Sequence, residues 1–137
     1  MELKTLNEIE IISAPHSKIS EVDFENLTFG NVFTDHMLVC DYVDGAWQKP
    51  VIEPYAPFMI DPSAKVFHYG QAIFEGMKAY KDEQDDVWLF RPDENFHRFN
   101  KSASRMAMPE VPEDIFMGGL HKLLEIEKDW VKKGKGN

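Results

Sequence analysis

Hydrophobic and polar positions alternate with one rhythm before Arg91 and another after it. His36-Met37-Leu38-Val39-Cys40-Asp41-Tyr42-Val43 is dense in strand formers, and Asp44-Gly45 follows it, the strongest two-residue signal for a tight hairpin. Ala46-Trp47-Gln48-Lys49 returns as the partner strand. Pro50, Pro54, Pro57 and Pro62 punctuate the next stretch. Proline cannot donate to a ladder, so this stretch should be extended, with short edge pieces at Val51-Ile52 and Phe58-Met59-Ile60. Met77-Lys78-Ala79-Tyr80 and Val87-Trp88-Leu89-Phe90-Arg91 read as two more strands, flanking a solvated acidic loop from Lys81 to Asp86. Residues 1–34 carry neither rhythm and read as an N-terminal arm or a loosely tied edge element, with a small domain spanning residues 35–137.

After Arg91 the period lengthens. Pro92 suits a first helical position, and Asp93 and Glu94 complement the positive end of the helix dipole. Phe96, Phe99, Ala103 and Met106 follow at spacings of three, four and three, one buried helical stripe. Pro109 and Pro112 end that helix and begin another. Ile115, Phe116, Leu120, Leu123, Leu124, Ile126, Trp130 and Val131 give the second helix a broad apolar face, and Lys132-Lys133-Gly134 supplies its C-terminal signal. Strands first and helices afterwards predict an α+β fold, a two-layer sandwich whose mainly antiparallel sheet is covered by helices.

Composition narrows the class. The 137 residues are 43% hydrophobic and 12% aromatic, enough for one domain with a real core. A formal net charge of -9 argues against nucleic acid or an anionic membrane surface as partner. The acid is uneven: 7 basic and 18 acidic residues precede Arg98, whereas 8 basic and 6 acidic residues run from Arg98 onward, so an anionic ligand is more easily held there. Cys40 is the only cysteine, which excludes an internal disulfide and a cysteine metal site and points to a reduced, cytoplasmic setting. The opening residues do not resemble a signal peptide, and no run approaches the roughly 18 apolar residues of a membrane span.

General motifs are sparse. Neither G-x-x-x-x-G-K nor HExxH occurs, and His68, His97 and His121 lack metal-ligand spacing, so they read as structural histidines and no metal is expected. Two features stand out. Phe67-His68-Tyr69-Gly70-Gln71-Ala72-Ile73-Phe74-Glu75-Gly76 packs aromatics, two glycines and a Glu into ten residues. It reads either as a turn plugged with core aromatics or as a pocket wall in which Tyr69 and Phe74 face an apolar ligand. Arg98 lies roughly 110° from the centre of the apolar stripe at 100° per residue, on the helix's polar flank. That position suits a solvated arginine, though its planar fork is also the right shape for phosphate oxygens.

At these features the sequence resembles the branched-chain amino-acid aminotransferases, fold-type IV enzymes dependent on pyridoxal phosphate. The resemblance runs from Phe29 to Trp130. It is carried by Phe29-Gly30, Phe33-Thr34-Asp35-His36-Met37, His68-Tyr69-Gly70, Phe74-Glu75-Gly76-Met77-Lys78-Ala79, Leu89-Phe90-Arg91-Pro92, Arg98 and Glu127-Lys128-Asp129-Trp130-Val131. It implies that Arg98 grips the cofactor phosphate, that Tyr69, Phe74 and Phe29 line the pocket for a branched side chain, and that Gly76 shapes the same turn. It also implies a homodimer in which Tyr69 reaches the partner subunit's site, and amino transfer from Leu, Ile or Val to 2-oxoglutarate.

The same resemblance places the lysine that carries the cofactor covalently well past Asn137, with a Tyr-x-Arg strand just after Gly136-Asn137. None of Lys122, Lys128, Lys132 or Lys133 stands in a matching context, so no catalytic residue is assigned here. The expectation is the N-terminal domain of a longer enzyme, inactive by itself. The alternatives are a non-catalytic binding module with the same fold, or another fold-type IV enzyme such as a D-amino-acid aminotransferase or aminodeoxychorismate lyase. The Phe-Glu-Gly-Met-Lys-Ala and Lys-Asp-Trp-Val segments favour the branched-chain group.

Overall fold

The computed structural model describes residues 9–133; residues 1–8 of the expected arm and Gly134 of the expected helix end lie outside them. Along the chain run β1 (Glu10–Ile11), β2 (His36–Val39), β3 (Tyr42–Val43), β4 (Ala46–Trp47), β5 (Val51–Pro54), α1 (Lys65–Tyr69), β6 (Ala79–Lys81), β7 (Val87–Leu89), α2 (Pro92–Arg105) and α3 (Gly119–Ile126). The architecture is α+β and mainly antiparallel, in three small sheets: β1-β5-β2, β3-β4 and β6-β7. Among the described residues β1 is the strand that pairs with a neighbouring strand in parallel, and a single parallel bridge joins Lys81 to Lys133.

The hairpin forms where Asp44-Gly45 asks for it. Both residues have positive φ, 51° and 81°, as a twisted two-residue turn requires, and β3 pairs directly with β4. The expected long strand from His36 to Val43 is interrupted at Cys40-Asp41, so the hairpin stands beyond the main sheet. There the Gln48 N–H donates to the Asp41 carbonyl at 2.8 Å and Cys40 Sγ donates to the Gln48 carbonyl at 3.2 Å.

Two expectations about the proline-rich stretch need correction. Val51-Ile52 is not an edge piece: β5 is the central strand, with β1 on one side and β2 on the other. Pro50 and Pro54 bracket the strand, where a missing N–H costs least. The Pro50 carbonyl accepts from the Glu10 N–H, and Pro54 stands opposite His36 at the end of the ladder. Phe58-Met59-Ile60 forms no strand, and its side chains are exposed. The N-terminal segment also contributes to the fold, because β1 forms one edge of the sheet.

The helical part follows the sequence up to a point. Pro92 opens α2, and Phe96 and Ala103 of its stripe are buried. The rings of Phe96 and Phe99 meet Phe116 at centroid distances of 5.4 and 5.5 Å. Asn100 fixes the link to the next helix, donating to the Val111 carbonyl and accepting from the Val111 N–H, both at 2.8 Å. The second expected helix is not continuous. It begins as a π-helical turn over Asp114–Gly118, continues as α3 and ends in a 3-10 turn over Lys128–Trp130. At Gly119 it approaches β2 so closely that a Cβ would clash with Leu38 Cδ2.

The small core comprises Ile52, Phe96, Ala103, Ile115 and Met117, with Ile52 fully buried. Ile52→Ala should therefore lower the unfolding free energy by about 2–5 kcal/mol, through lost burial and the cavity left behind. A urea-denaturation midpoint equal to that of the native protein would contradict the central placement of β5.

Candidate functional site

Residues 71–80 are the piece of chain around which the site is built. They alternate strictly: Gln71, Ile73, Glu75, Met77 and Ala79 are half-buried, while Ala72, Phe74, Gly76, Lys78 and Tyr80 are exposed. This is the period of an extended backbone, whose successive side chains point to opposite faces. The segment runs antiparallel to α2 and is pinned to it. Gln71 Nε2 donates to the Met106 carbonyl at 2.8 Å, and Asn95 Nδ2 donates to the Gly76 carbonyl at 3.1 Å. The aromatic-rich decapeptide is thus the end of α1, a left-handed Gly70 that caps it, and an extended strip, rather than a turn plugged by core aromatics.

Between those pins Arg98 meets Glu75. Arg98 Nε donates to Glu75 Oε2 at 2.7 Å, and Nη2 donates to Oε1. Asn95 Nδ2 and the Gly76 N–H also donate to Oε1, at 3.0 and 3.1 Å. Arg98's hydrogen bonds hold the Glu75 carboxyl down to about 2, against the opposing pull of burial and with help from Asn95 and the Gly76 N–H. The two partners differ sharply in exposure: the Glu75 side chain is 6% exposed and that of Arg98 67%. A guanidinium carries five N–H donors. Glu75 takes two from one side, which leaves the outer edge of Arg98 facing water. Helical periodicity put Arg98 on a polar flank, and the structure adds that its inner edge is fixed.

The three predicted aromatics are bare. Phe74 is 90% exposed and directly precedes Glu75, so it stands beside the Arg98 pair on the outward face of the strip. Tyr69 is the last residue of α1, and Phe29 lies in the turn closed by the Asn31 N–H donating to the Thr28 carbonyl. Both are exposed, and no ring contact joins Phe29, Tyr69 and Phe74 among the described residues. An apolar cleft of about 360 Å³ opens elsewhere, between β2 and the helices, with Leu38, Cys40, Trp47 and Phe99 in its wall. None of the four predicted residues lines it.

A second polar cluster went unnoticed in the sequence. Asp35 and Glu127 are buried carboxylates, as is the side chain of Glu75. Asp35 accepts from the Ser17 hydroxyl, the Lys18 N–H at 2.8 Å and the Trp130 indole at 3.2 Å. Burial pulls its carboxyl up, but these donors outweigh it and leave the group below its ordinary value. His36 Nε2 accepts from the Ala14 N–H at 2.9 Å, which puts the ring proton on Nδ1, facing the Glu127 carboxylate. Asp35-His36 and Glu127 to Trp130 are motif segments of the resemblance, and here they bind the N-terminal segment, β2 and the last helical turn together. Two acids at the ends of apolar runs were the available signal.

The fold and site define an α+β domain that presents the water-facing edge of Arg98 on α2, with Phe74 bare on the outward face of the strip pinned to that helix. No protein-family model matches the chain. Individual relatives do. The chain is 53% identical over 115 residues to branched-chain-amino-acid transaminase 1 of Bacillus subtilis (strain 168), covering 83% of this chain and 32% of that protein. It is 47% identical over 121 residues to branched-chain-amino-acid aminotransferase 2 of the same organism, covering 88% and 33%. With the branched-chain-amino-acid aminotransferase of Mycolicibacterium smegmatis it shares 43% identity over 119 residues, covering 86% and 32%. Over most of its length the chain is similar to proteins named branched-chain-amino-acid aminotransferases, and it spans about a third of the length of the curated relatives it matches.

The Glu75 pair gives stability a pH dependence of definite sign. Its folded value lies below the ordinary glutamate value of about 4.3, so the contribution is complete above that pH and fades as pH falls toward 2. Glu75→Gln should be less stable than the native protein at pH 6, and the gap should close between pH 4.5 and 2. Urea melts across that pH series measure it, and a gap that does not change with pH would contradict the assignment.

Proposed function

We propose that this chain forms one wall of the active site of a pyridoxal-phosphate-dependent branched-chain-amino-acid aminotransferase. The observation that carries the reading is identity of 43–53% to proteins of that name over most of the chain. The donor set supports it. Arg98 offers a fixed guanidinium with its outer edge in water, suited to charge-assisted bonds with two phosphate oxygens. Pyridoxal phosphate supplies the electron sink for amino transfer. This chain's part is to hold the phosphate and to exclude water from the substrate side chain.

Phe74, Tyr69 and Phe29 suit the second task. They are bare aromatic faces, and a branched aliphatic side chain needs an apolar, dry surface. Such walls discriminate weakly, because one methylene is worth only about 1–3 kcal/mol, so Leu, Ile and Val are all expected substrates, with 2-oxoglutarate as acceptor. The whole enzyme is a cytoplasmic homodimer in this reading, and Tyr69 reaches the partner's site.

Lysines within the described helical end do not fit the covalent role. Lys122 pairs with Glu125 at 2.9 Å, and Lys133 pairs with Asp85 at 3.3 Å, both at the surface rather than desolvated in a pocket. The 137 residues alone should therefore convert no leucine and 2-oxoglutarate to glutamate. A coupled assay with product above the no-protein control would overturn that part. In the full-length enzyme Arg98→Ala should weaken pyridoxal phosphate binding by about ten- to a hundredfold, the worth of a charged hydrogen-bond pair. Spectrophotometric titration of the cofactor tests it, and unchanged affinity would remove Arg98 from the phosphate site.

A further inference from the structure

We infer that Glu75 is a positioning residue, which sets the guanidinium of Arg98 for phosphate and is itself locked by Asn95 and Gly76. The inference deepens the reading of Arg98 above and rests on it. Its starting point is the difference in burial across one ion pair: the acid is almost covered, while the arginine reaches it from solvent. The covered carboxylate does not depend on Arg98 alone for its place. Asn95 Nδ2 and the Gly76 N–H hold Oε1 from two directions, and the extended strip carrying it is pinned to α2 at Gln71 and Gly76. Asn95 and Arg98 stand three residues apart on α2, on one face of the helix, so both reach the same acid.

An exposed arginine has many rotamers, and only some turn a given edge outward. Side-on pairing through Nε and Nη2 selects one. The unengaged N–H groups then lie in the plane of the guanidinium, along its outer edge, ready to meet two oxygens of one phosphate. Ordering the side chain before the ligand arrives removes an entropic cost from binding.

Electrostatics works the other way, which makes the proposal testable. Glu75 is an anion near the site of another anion, so by charge alone its removal should tighten phosphate binding. Positioning predicts the reverse. In the full-length enzyme, Glu75→Gln should weaken pyridoxal phosphate binding by about three- to tenfold, as expected for freeing one long side chain, and should leave binding of pyridoxal, which lacks the phosphate, unchanged. In an Arg98→Ala background the same substitution should cause no further loss. Asn95→Ala, which keeps the ion pair but loosens the acid, should shift affinity in the same direction by less, and it serves as the test if Glu75→Gln does not fold.

Cofactor titration by absorbance, with circular dichroism to verify folding, reads each outcome. Unchanged or tighter binding in a folded Glu75→Gln protein overturns the proposal, as does an equal loss for pyridoxal or an equal loss in the Arg98→Ala background. Should Glu75→Gln not fold, unchanged binding in a folded Asn95→Ala protein overturns it. If Arg98→Ala itself leaves affinity unchanged, the phosphate reading of Arg98 fails, whereas a loss in Arg98→Ala without one in Glu75→Gln defeats only the role given to Glu75.

Discussion

The Glu75 carboxylate sits between two pieces of chain and takes hydrogen bonds from both. Asn95 and Arg98 approach from α2, and the Gly76 N–H approaches from the extended strip. A nearly buried carboxylate is tolerable only when its oxygens are satisfied, and here four donors do so. The geometry of the strip follows. With Glu75 turned toward α2, the strict alternation of extended backbone turns Phe74 and Gly76 outward. One inward acid thus decides both which edge of Arg98 is free and which aromatic face is bare.

The second buried polar cluster holds the frame to which that strip is attached. Asp35 and Glu127 draw the segment at Ala14 to Lys18, the start of β2 and Trp130 to one place. Its cost is helical continuity. Glu127 directs its carboxylate to His36, and the Trp130 indole turns to Asp35, so the chain leaves α3 for a tighter 3-10 turn. Several residues of the resemblance therefore do structural work away from the arginine and the bare aromatics. Similarity to aminotransferases over a third of their length accordingly contains both frame and candidate site.

Local chemistry announced itself in the sequence. Asp44-Gly45 fixed a hairpin because its backbone demands positive φ, Pro92 marked the start of α2, and the Phe96 to Met106 spacing gave that helix its buried face. The α+β order of elements was equally readable, since periods of two and of about 3.6 residues are intrinsic to the two backbones. Long motif matches likewise needed no coordinates to point to the aminotransferases, and 43–53% identity bears them out.

What the sequence left open were relations between distant residues. Proline content argued for an edge at Val51-Ile52, yet partners from β1 and β2 made that strand central, with the prolines at its ends. Apolar periodicity argued for one long second helix, yet it opens as a π-helical turn and closes in a 3-10 turn, where Glu127 and Trp130 reach His36 and Asp35. Arg98 read as a solvated arginine by its helical angle, and nothing local to it could name Glu75, 23 residues away, as the group that fixes it. Sequence pattern encodes what a backbone does over a few residues. Which acid satisfies which base depends on how separate elements pack, and tertiary structure alone decides that.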